Sequence, residues 1–328
     1  MSQKKLEINN FSKGPRSYID CLYALLTSAG LFHLPKYMLS GMTGMAFKFV
    51  IHRRLLPSSL DLYSWQEENW QAVNSLGIYN ETYAGAPMSA TFPLYQRRAL
   101  HKIITSINEG RAAIGWELER SIFCLYTGYH EDEEVIFFSN SSSKEDEVLL
   151  FDNLGLVSEG LWFVQIIGDA IERDYRDIFL ESLECAVREW NTEYKVSPEY
   201  GSGKRAYQNL LEAFSNQDFN YDGAYYILEP YIDIKIEISS YMDMVIKEIP
   251  ELADVAYLYH RLAEVLSPLK QIKLTGKPLH DKKYIPDAAK IFLDAMQIED
   301  KAIKELEKNL CDYINNKNFN PSRLKHLY

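Results

Sequence analysis

Cys21 is the residue whose type and position best suit covalent chemistry. Ser17 and Asp20 have the S-x-x-[DE] spacing of a helix capping box, which places Cys21 in the first turn of a predicted helix. A helix N-terminus carries partial positive charge and unpaired N–H groups, and both stabilise the nucleophilic thiolate. A lone cysteine on an apolar helix is commonly a small buried core residue, and that interpretation stays open.

A polar and aromatic segment after Pro57 is a candidate pocket wall. Ser58 and Ser59 come first, and Tyr63 and Trp65 follow them. Ligand pockets combine rings with a few polar groups, as this segment does. The segment could equally be the start of a helix, with Ser58 or Ser59 as its N-cap.

Cysteine usage and hydropathy point to a reducing compartment. The four cysteines lie far apart and form no CxxC pair, which excludes a zinc site of the usual spacing and a disulfide framework. The first ten residues, MSQKKLEINN, lack the apolar stretch of a signal peptide, and no run approaches the roughly 20 apolar residues of a membrane span. We therefore expect a cytoplasmic protein with no membrane contact, metal or cofactor.

The charge of the chain argues against nucleic acid as a partner. The formal net charge is -11, whereas binding to phosphates needs clustered lysine and arginine. Two basic clusters are local exceptions: Lys48, His52, Arg53 and Arg54, and Arg97, Arg98, His101 and Lys102. Such a cluster would reduce repulsion from an acidic partner and steer its approach, although a solvated surface is the alternative.

Hydrophobic periodicity predicts both helices and strands in the front half. The helix that carries Cys21 ends near Gly30, and two further helices are expected at 65–76 and 95–108. Strands are predicted at 47–52, 112–118, 122–127, 135–138 and 161–167. A loop is predicted at 77–93, and a turn at Gly128-Tyr129.

The back half reads as helical. Helices are predicted at 170–192, 203–216, 221–248, 251–267 and 286–315. Alternating isoleucines at 232–238 have the period of a strand, but helix is favoured because the flanks are helical and no turn bounds the run. Since one core rarely exceeds roughly 250–300 residues, we expect an α+β domain at 1–170 and a helical accessory domain at 171–328. The accessory domain would cover a site or form a homodimer.

Three segments resemble the family named for the N-terminal domain of butirosin biosynthesis protein H. They are YIDCLYALLTSAG, LSGMTGMAFKFVIH and AAIGWELERSIFCLYTGYHEDEEV. Members open with a Cys-containing helix, followed by a Gly-rich turn, an aromatic strand, a Trp-containing strand and a Gly-Tyr-Asp-type turn. Cys21, Gly41 to Gly44, Trp116 and Gly128-Tyr129 take these places here. The resemblance covers about 15–170 and implies a papain-like or C39-like domain, a helix packed on a small, mostly antiparallel sheet.

The resemblance also implies a site, with one departure. C39-type peptidases have a histidine where this chain has Glu119, Arg120 and Ser121, so ordinary peptidase activity is not expected. His52 and His130 are the remaining candidates for the general base. His52 is favoured because it lies in a segment that resembles the family.

The resemblance further implies the walls of a pocket. Trp116, Glu117 and Tyr129 are expected to line it, and Glu117 could also orient a base or hold a substrate amine. An ordinary solvated strand end is the alternative interpretation of Glu117.

The activity that the resemblance implies is cysteine-dependent acyl or aminoacyl transfer in natural-product metabolism. An acyl carrier protein would supply a thioester, Cys21 would take the acyl group, and a small-molecule amine would attack it. The alternative is a non-catalytic descendant of the fold that binds a small molecule, a peptide or a carrier protein. The absent strand histidine favours that alternative.

Overall fold

The computed structural model describes residues 3–11, 16–117, 122–140, 147–156, 161–271, 279 and 282–317. The chain forms two compact units. The α/β unit comprises Met1–Leu39 and Ser64–Glu172, and the helical unit comprises Ser40–Tyr63 and Arg173–Tyr328. The domain division at residue 170 stays a prediction. The compact units differ from it by grouping residues 40–63 with the helical part.

The α/β unit is built on an antiparallel sheet, and its elements are numbered along the whole chain. Its helices are α1 (Ser17–Ser28), α3 (Trp70–Asn74) and α4 (Phe92–Asn108), and α2 (Lys36–Met42) begins in it. Its strands are β1 (Gln3–Lys5), β3 (Ile78–Gly85), β4 (Ala113–Glu117), β5 (Ile122–His130), β6 (Val135–Asn140), β7 (Glu147–Leu150) and β8 (Trp162–Ala170). The strand order is β3-β8-β4-β5-β6-β7, and β1 pairs with the end of β5.

Helices α1 and α4 lie against opposite faces of this sheet. Successive side chains of a strand point to opposite faces. On one face the Phe123 ring lies 5.3 Å from the ring of Tyr18 in α1. On the other face Cys124 and Tyr126 share a buried cluster with Ile103 of α4. The predicted helix-on-sheet arrangement is confirmed in this coarse form, as an α+β fold with an antiparallel sheet.

Strand β3 corrects the predicted loop at 77–93. Ile78–Gly85 pairs with β8 along its length, with one irregularity in register. The strand lies at the edge of the sheet, and its central residues are only partly buried. A strand at the edge of a sheet does not need a buried apolar face. Its sequence therefore lacks the alternation that predicts a strand, and it resembles a loop.

Strand β5 corrects the predicted turn at Gly128-Tyr129. The strand continues to His130 through a bulge between Tyr126 and Gly128, with β1 on one side and β6 on the other. A Cβ atom at Gly128 would lie 2.6 Å from the Lys4 carbonyl oxygen. Glycine is needed there for the close approach of β1, and not for a turn.

The predicted capping box at the start of α1 is wrong. Ser17 is the first residue of the helix, and the residue before it, Arg16, makes no side-chain capping bond. The Ser17 hydroxyl instead accepts a hydrogen bond of 3.2 Å from the Phe123 backbone N–H. Asp20 forms an ion pair with Lys36, with 2.7 Å between the charged atoms.

The helical unit contains five long helices and one small sheet. Its elements are β2 (Val50–His52), α5 (Tyr175–Asn191), β9 (Tyr200–Ser202), α6 (Gly203–Asn216), α7 (Tyr221–Glu248), α8 (Ala253–Gln271) and α9 (Ile285–Lys317). The helical character of the back half is confirmed, and the alternating isoleucines lie within α7. The expectation of an all-helical region is corrected by β9, which pairs antiparallel with β2. Only the end of the strand predicted at 47–52 is extended, because Met45–Phe47 forms a 3-10 turn.

The core of the helical unit contains a buried ion pair. Lys235 of α7 pairs with Glu299 of α9, and their side chains are 4% and 3% exposed. The Tyr207 hydroxyl donates a 2.8 Å hydrogen bond to the second Glu299 oxygen, and the Lys235 ammonium lies 5.1 Å from the Phe49 ring centre. Among the described helices, none combines the length and the apolar character that crossing a bilayer requires.

Candidate functional site

Cys21 lies inside the α/β unit, where water does not reach it. Its side chain is 0% exposed on the sheet-facing side of α1. Burial raises the pKa of the Cys21 thiol well above its ordinary value, and the neighbouring Cys124 and Asp20 add to this shift. The thiol is therefore neutral near pH 7, which is the form that does not act as a nucleophile.

A buried polar network begins one turn before Cys21. The Tyr18 hydroxyl lies 3.0 Å from the Gln165 side-chain oxygen and 3.1 Å from the Asn69 carbonyl oxygen. The Gln165 amide donates to Asn80 over 2.9 Å, which links α1, β8 and β3. These amide groups hold the sheet and the helix together, and none of them is a general base.

Within the described part of the α/β unit, no histidine is hydrogen-bonded to the Cys21 thiol. His130 ends β5, where its Nδ1 atom accepts a 3.2 Å hydrogen bond from the Glu133 backbone N–H. His52 belongs to the helical unit and Cys21 to the α/β unit. The stretch 118–121, which includes Glu119, Arg120 and Ser121, lies outside the described residues.

His52 has a hydrogen-bonded environment of its own within the helical unit. Its Nδ1 atom accepts a 3.0 Å bond from the Arg54 backbone N–H, and its Nε2 atom lies 3.6 Å from a Glu199 oxygen. Burial lowers the pKa of His52, while the nearby Glu199 carboxylate opposes that shift. Ser59 accepts a 3.0 Å bond from the His52 backbone N–H, and Ser58 is 2.9 Å from the Tyr200 hydroxyl. These three predicted residues therefore form one cluster, at the β2–β9 pair.

The aromatic candidates of the α/β unit are also brought together. The rings of Trp65 and Trp116 lie 4.4 Å apart, and Phe123 lies 4.9 Å from Trp116. Glu117 is the last residue of β4, and its side chain is not among those described. Tyr129 is buried in the core, where its hydroxyl lies 2.9 Å from the Asn108 side-chain oxygen.

A cavity of about 410 Å³ is lined by residues of the strands β4 to β7 and of the segment that follows β7. Trp116 is the one predicted site residue among its described lining. The others are Cys124, Tyr126, Phe138, Glu147, Val148, Leu149, Asn153, Gly155 and Leu156. A volume of this size, with aromatic, aliphatic and polar groups in its lining, is large enough for a small molecule.

Glycine at position 115 of β4 allows one wall of this cavity to form. A Cβ atom there would lie 2.3 Å from the Tyr126 ring, so a larger residue would displace the ring. Gly115 pairs directly with Cys124 across the two strands, which places both under the same face. The Cys124 thiol and the Tyr126 ring therefore line the same side of the cavity.

Sequence reasoning missed most of these residues. Alternation in 122–127 does indicate that Cys124 and Tyr126 share a face, but it does not indicate that a cavity lies there. Glu147 begins β7 and accepts a 3.3 Å bond from the Asn140 amide. The cavity depends on β7 and the following turn packing beside β6, which local sequence does not reveal.

Neither a search for metal-binding side chains nor comparison with known proteins assigns a function to this site. The described residues contain no group of three or more histidine, cysteine or acidic side chains that could hold a metal ion. A scan against protein-family models gives no match, and a search of curated protein sequences gives no significant similarity. The resemblance described above therefore stays a prediction.

Proposed function

We propose that this chain is a non-catalytic binding protein whose α/β unit takes up a small molecule in the cavity over β4 to β7. The observation that carries the proposal is the cavity itself, of about 410 Å³, with rings and aliphatic groups on its walls. Burial of such walls against an apolar ligand supplies binding free energy at roughly 25 cal/mol for each Å² removed from water.

The state of Cys21 supports binding over acyl transfer. A transferase needs a thiolate that meets an incoming thioester, and Cys21 is 0% exposed with a raised pKa. It also needs a base within hydrogen-bond reach, and within the α/β unit the described His130 is not hydrogen-bonded to the thiol. The transferase and its acyl carrier protein remain predictions from the resemblance alone.

The walls of the cavity indicate the class of ligand. Tyr126 and Phe138 provide aromatic surface, and Asn153 provides an amide. Glu147 is the one charged group among the described lining residues, and a carboxylate at the wall favours a cationic group on the ligand. An arylalkyl amine, with an aromatic body and a protonated nitrogen, combines both features.

Saturation-transfer difference NMR with phenethylamine and its neutral analogue 2-phenylethanol tests this proposal. We expect signals from the phenethylamine ring with the wild-type chain. Leu156 lies at the rim of the cavity and is 48% exposed, so Leu156→Trp should block the entrance and remove the signals without unfolding the chain. Glu147→Gln should weaken the binding of phenethylamine by about tenfold and leave the binding of 2-phenylethanol unchanged.

Leu161→Trp is the matched control. Leu161 is 55% exposed and does not belong to the described cavity lining, so this variant adds the same ring elsewhere on the unit. It should bind as the wild type does. Equal binding by Leu156→Trp and Leu161→Trp would contradict the proposal, as would the absence of any binding to the wild type at millimolar concentration.

A further inference from the structure

Helix α4 is unusual in this acidic chain because it has no acidic residue. Its sequence is FPLYQRRALHKIITSIN, with two arginines, one lysine and one histidine. The chain as a whole has a formal net charge of -11. A local excess of positive charge over 17 residues is therefore a property of this helix and not of the protein.

The basic residues of α4 lie on one face. Leu94, Arg97, Arg98, His101 and Lys102 follow one another at steps of three, one, three and one residues, which is the spacing of a single helix face. The opposite face is buried in the core through Phe92, Ala99, Ile103 and Ile107. The basic face points away from the sheet core.

A groove of about 550 Å³ lies along this face. Tyr83 of β3 is its wall opposite the helix, and the five residues of the α4 face complete its lining. Lys102 forms a 2.8 Å ion pair with Glu81, and the Tyr83 hydroxyl donates a 2.8 Å bond to the same carboxylate. Glu81 therefore neutralises Lys102 and fixes the Tyr83 ring.

Three cationic or potentially cationic groups in the groove remain uncompensated. Among the described residues, Arg97, Arg98 and His101 form no ion pair with a carboxylate, and Arg97 donates only to the Pro93 carbonyl oxygen, over 3.3 Å. The other basic cluster differs. Arg53 pairs with Glu199 at 2.6 Å, and Arg54 with Asp218 at 3.4 Å.

We propose that this groove binds a phosphorylated small molecule that carries at least two negative charges. Arg97 and Arg98 would hold the phosphate oxygens, because the planar guanidinium matches two phosphate oxygens at once. An aromatic part of the ligand would lie against Tyr83 and Leu94. This site shares no described lining residue with the amine cavity, so the two proposals stand or fall separately.

Isothermal titration calorimetry with pyrophosphate, ATP and adenosine tests the site in magnesium-free buffer of low ionic strength. We expect pyrophosphate and ATP to bind, ATP to bind more tightly, and adenosine not to bind. The double variant Arg97→Gln/Arg98→Gln should weaken ATP binding at least about tenfold, since it removes both charge-assisted contacts. Tyr83→Leu should reduce ATP binding to the level of pyrophosphate.

Arg53→Gln/Arg54→Gln is the matched control, because it removes the same two charges where they are already paired. It should change ATP binding less than about twofold. If both double variants lost ATP affinity equally, the attraction would be a non-specific effect of net charge, and the proposal would be overturned. It would also be overturned if neither pyrophosphate nor ATP bound at millimolar concentration, or if an acidic peptide of equal charge displaced ATP as well as pyrophosphate does. Circular dichroism melting of each variant verifies the fold.

Discussion

At the scale of single residues, burial decides what the Cys21 thiol can do. The first turn of a helix favours a thiolate only where the thiol also meets water or a cation. Cys21 lies on the side of α1 that faces the sheet, where burial raises its pKa and electrostatic interaction with Cys124 and Asp20 adds to the shift. The helix position and the environment act in opposite directions, and burial is the larger effect.

We predict that iodoacetamide labels Cys21 at least about a hundredfold more slowly than the exposed Cys311 at pH 7. Because burial raises the thiol pKa, the folded protein keeps the proton as pH rises, and the Cys21 rate should still be increasing at pH 9. Peptide mass spectrometry measures both rates in one sample. Denaturant should make the rates equal. Fast labelling of Cys21 at pH 6–7 would contradict the binding proposal and restore the transferase.

At the scale of elements, the helical unit depends on one buried pair between two helices. Lys235 of α7 and Glu299 of α9 neutralise each other, while Tyr207 and Phe49 complete the surroundings of the two charges. Taking either partner away would leave an unpaired charge in a buried interior of low dielectric constant, which is costly. The pair therefore favours one alignment of α7 against α9.

We predict that Lys235→Met lowers the free energy of unfolding by about 3–5 kcal/mol, because it leaves the Glu299 charge unpaired. The double variant Lys235→Met/Glu299→Leu should recover most of that loss, since both charges are gone. Urea denaturation at pH 7 measures four proteins: the wild type, Lys235→Met, Glu299→Leu and the double variant. If the double variant lost the sum of the two single losses, the pair would not be coupled and this account of the core would be wrong.

At the scale of the whole molecule, the chain alternates between its two units. Residues 40–63 belong with 173–328 and not with the sequence on either side of them. Within the helical unit, β2 pairs with β9, and the Arg53 backbone N–H donates to the Glu199 carbonyl oxygen over 3.0 Å. A cut at residue 172 would remove every one of these partners.

We predict that trypsin cleaves a fragment of residues 1–172 after Arg53 or Arg54 at least about tenfold faster than it cleaves the full chain there. Cleavage needs local unfolding, and the fragment lacks the strand that holds β2 in place. Arg97 and Arg98 are internal controls, because α4 packs within the α/β unit and should stay resistant in both samples. Equal resistance at Arg53 and Arg54 would show that 40–63 folds without the helical unit.

The sequence by itself determined the features that depend on local periodicity. The apolar spacing of 17–28 and of the five long back-half helices is enough to predict helix, and the short apolar runs at 122–127 and 135–138 are enough to predict strands. Even the isoleucines of α7 were assigned correctly, because helical flanks outweigh a short alternating run. The α+β class follows from these elements.

Only the tertiary structure decided which of these residues meet. It paired the solvated β3 with β8, extended β5 through Gly128 where β1 approaches, and joined 40–63 to β9, which lies far along the chain. It also buried Cys21, and it brought Glu147 to the cavity and Tyr83 to the basic face of α4. Such contacts depend on pairing between distant segments, and the free energy of that pairing is not present in any short stretch of sequence.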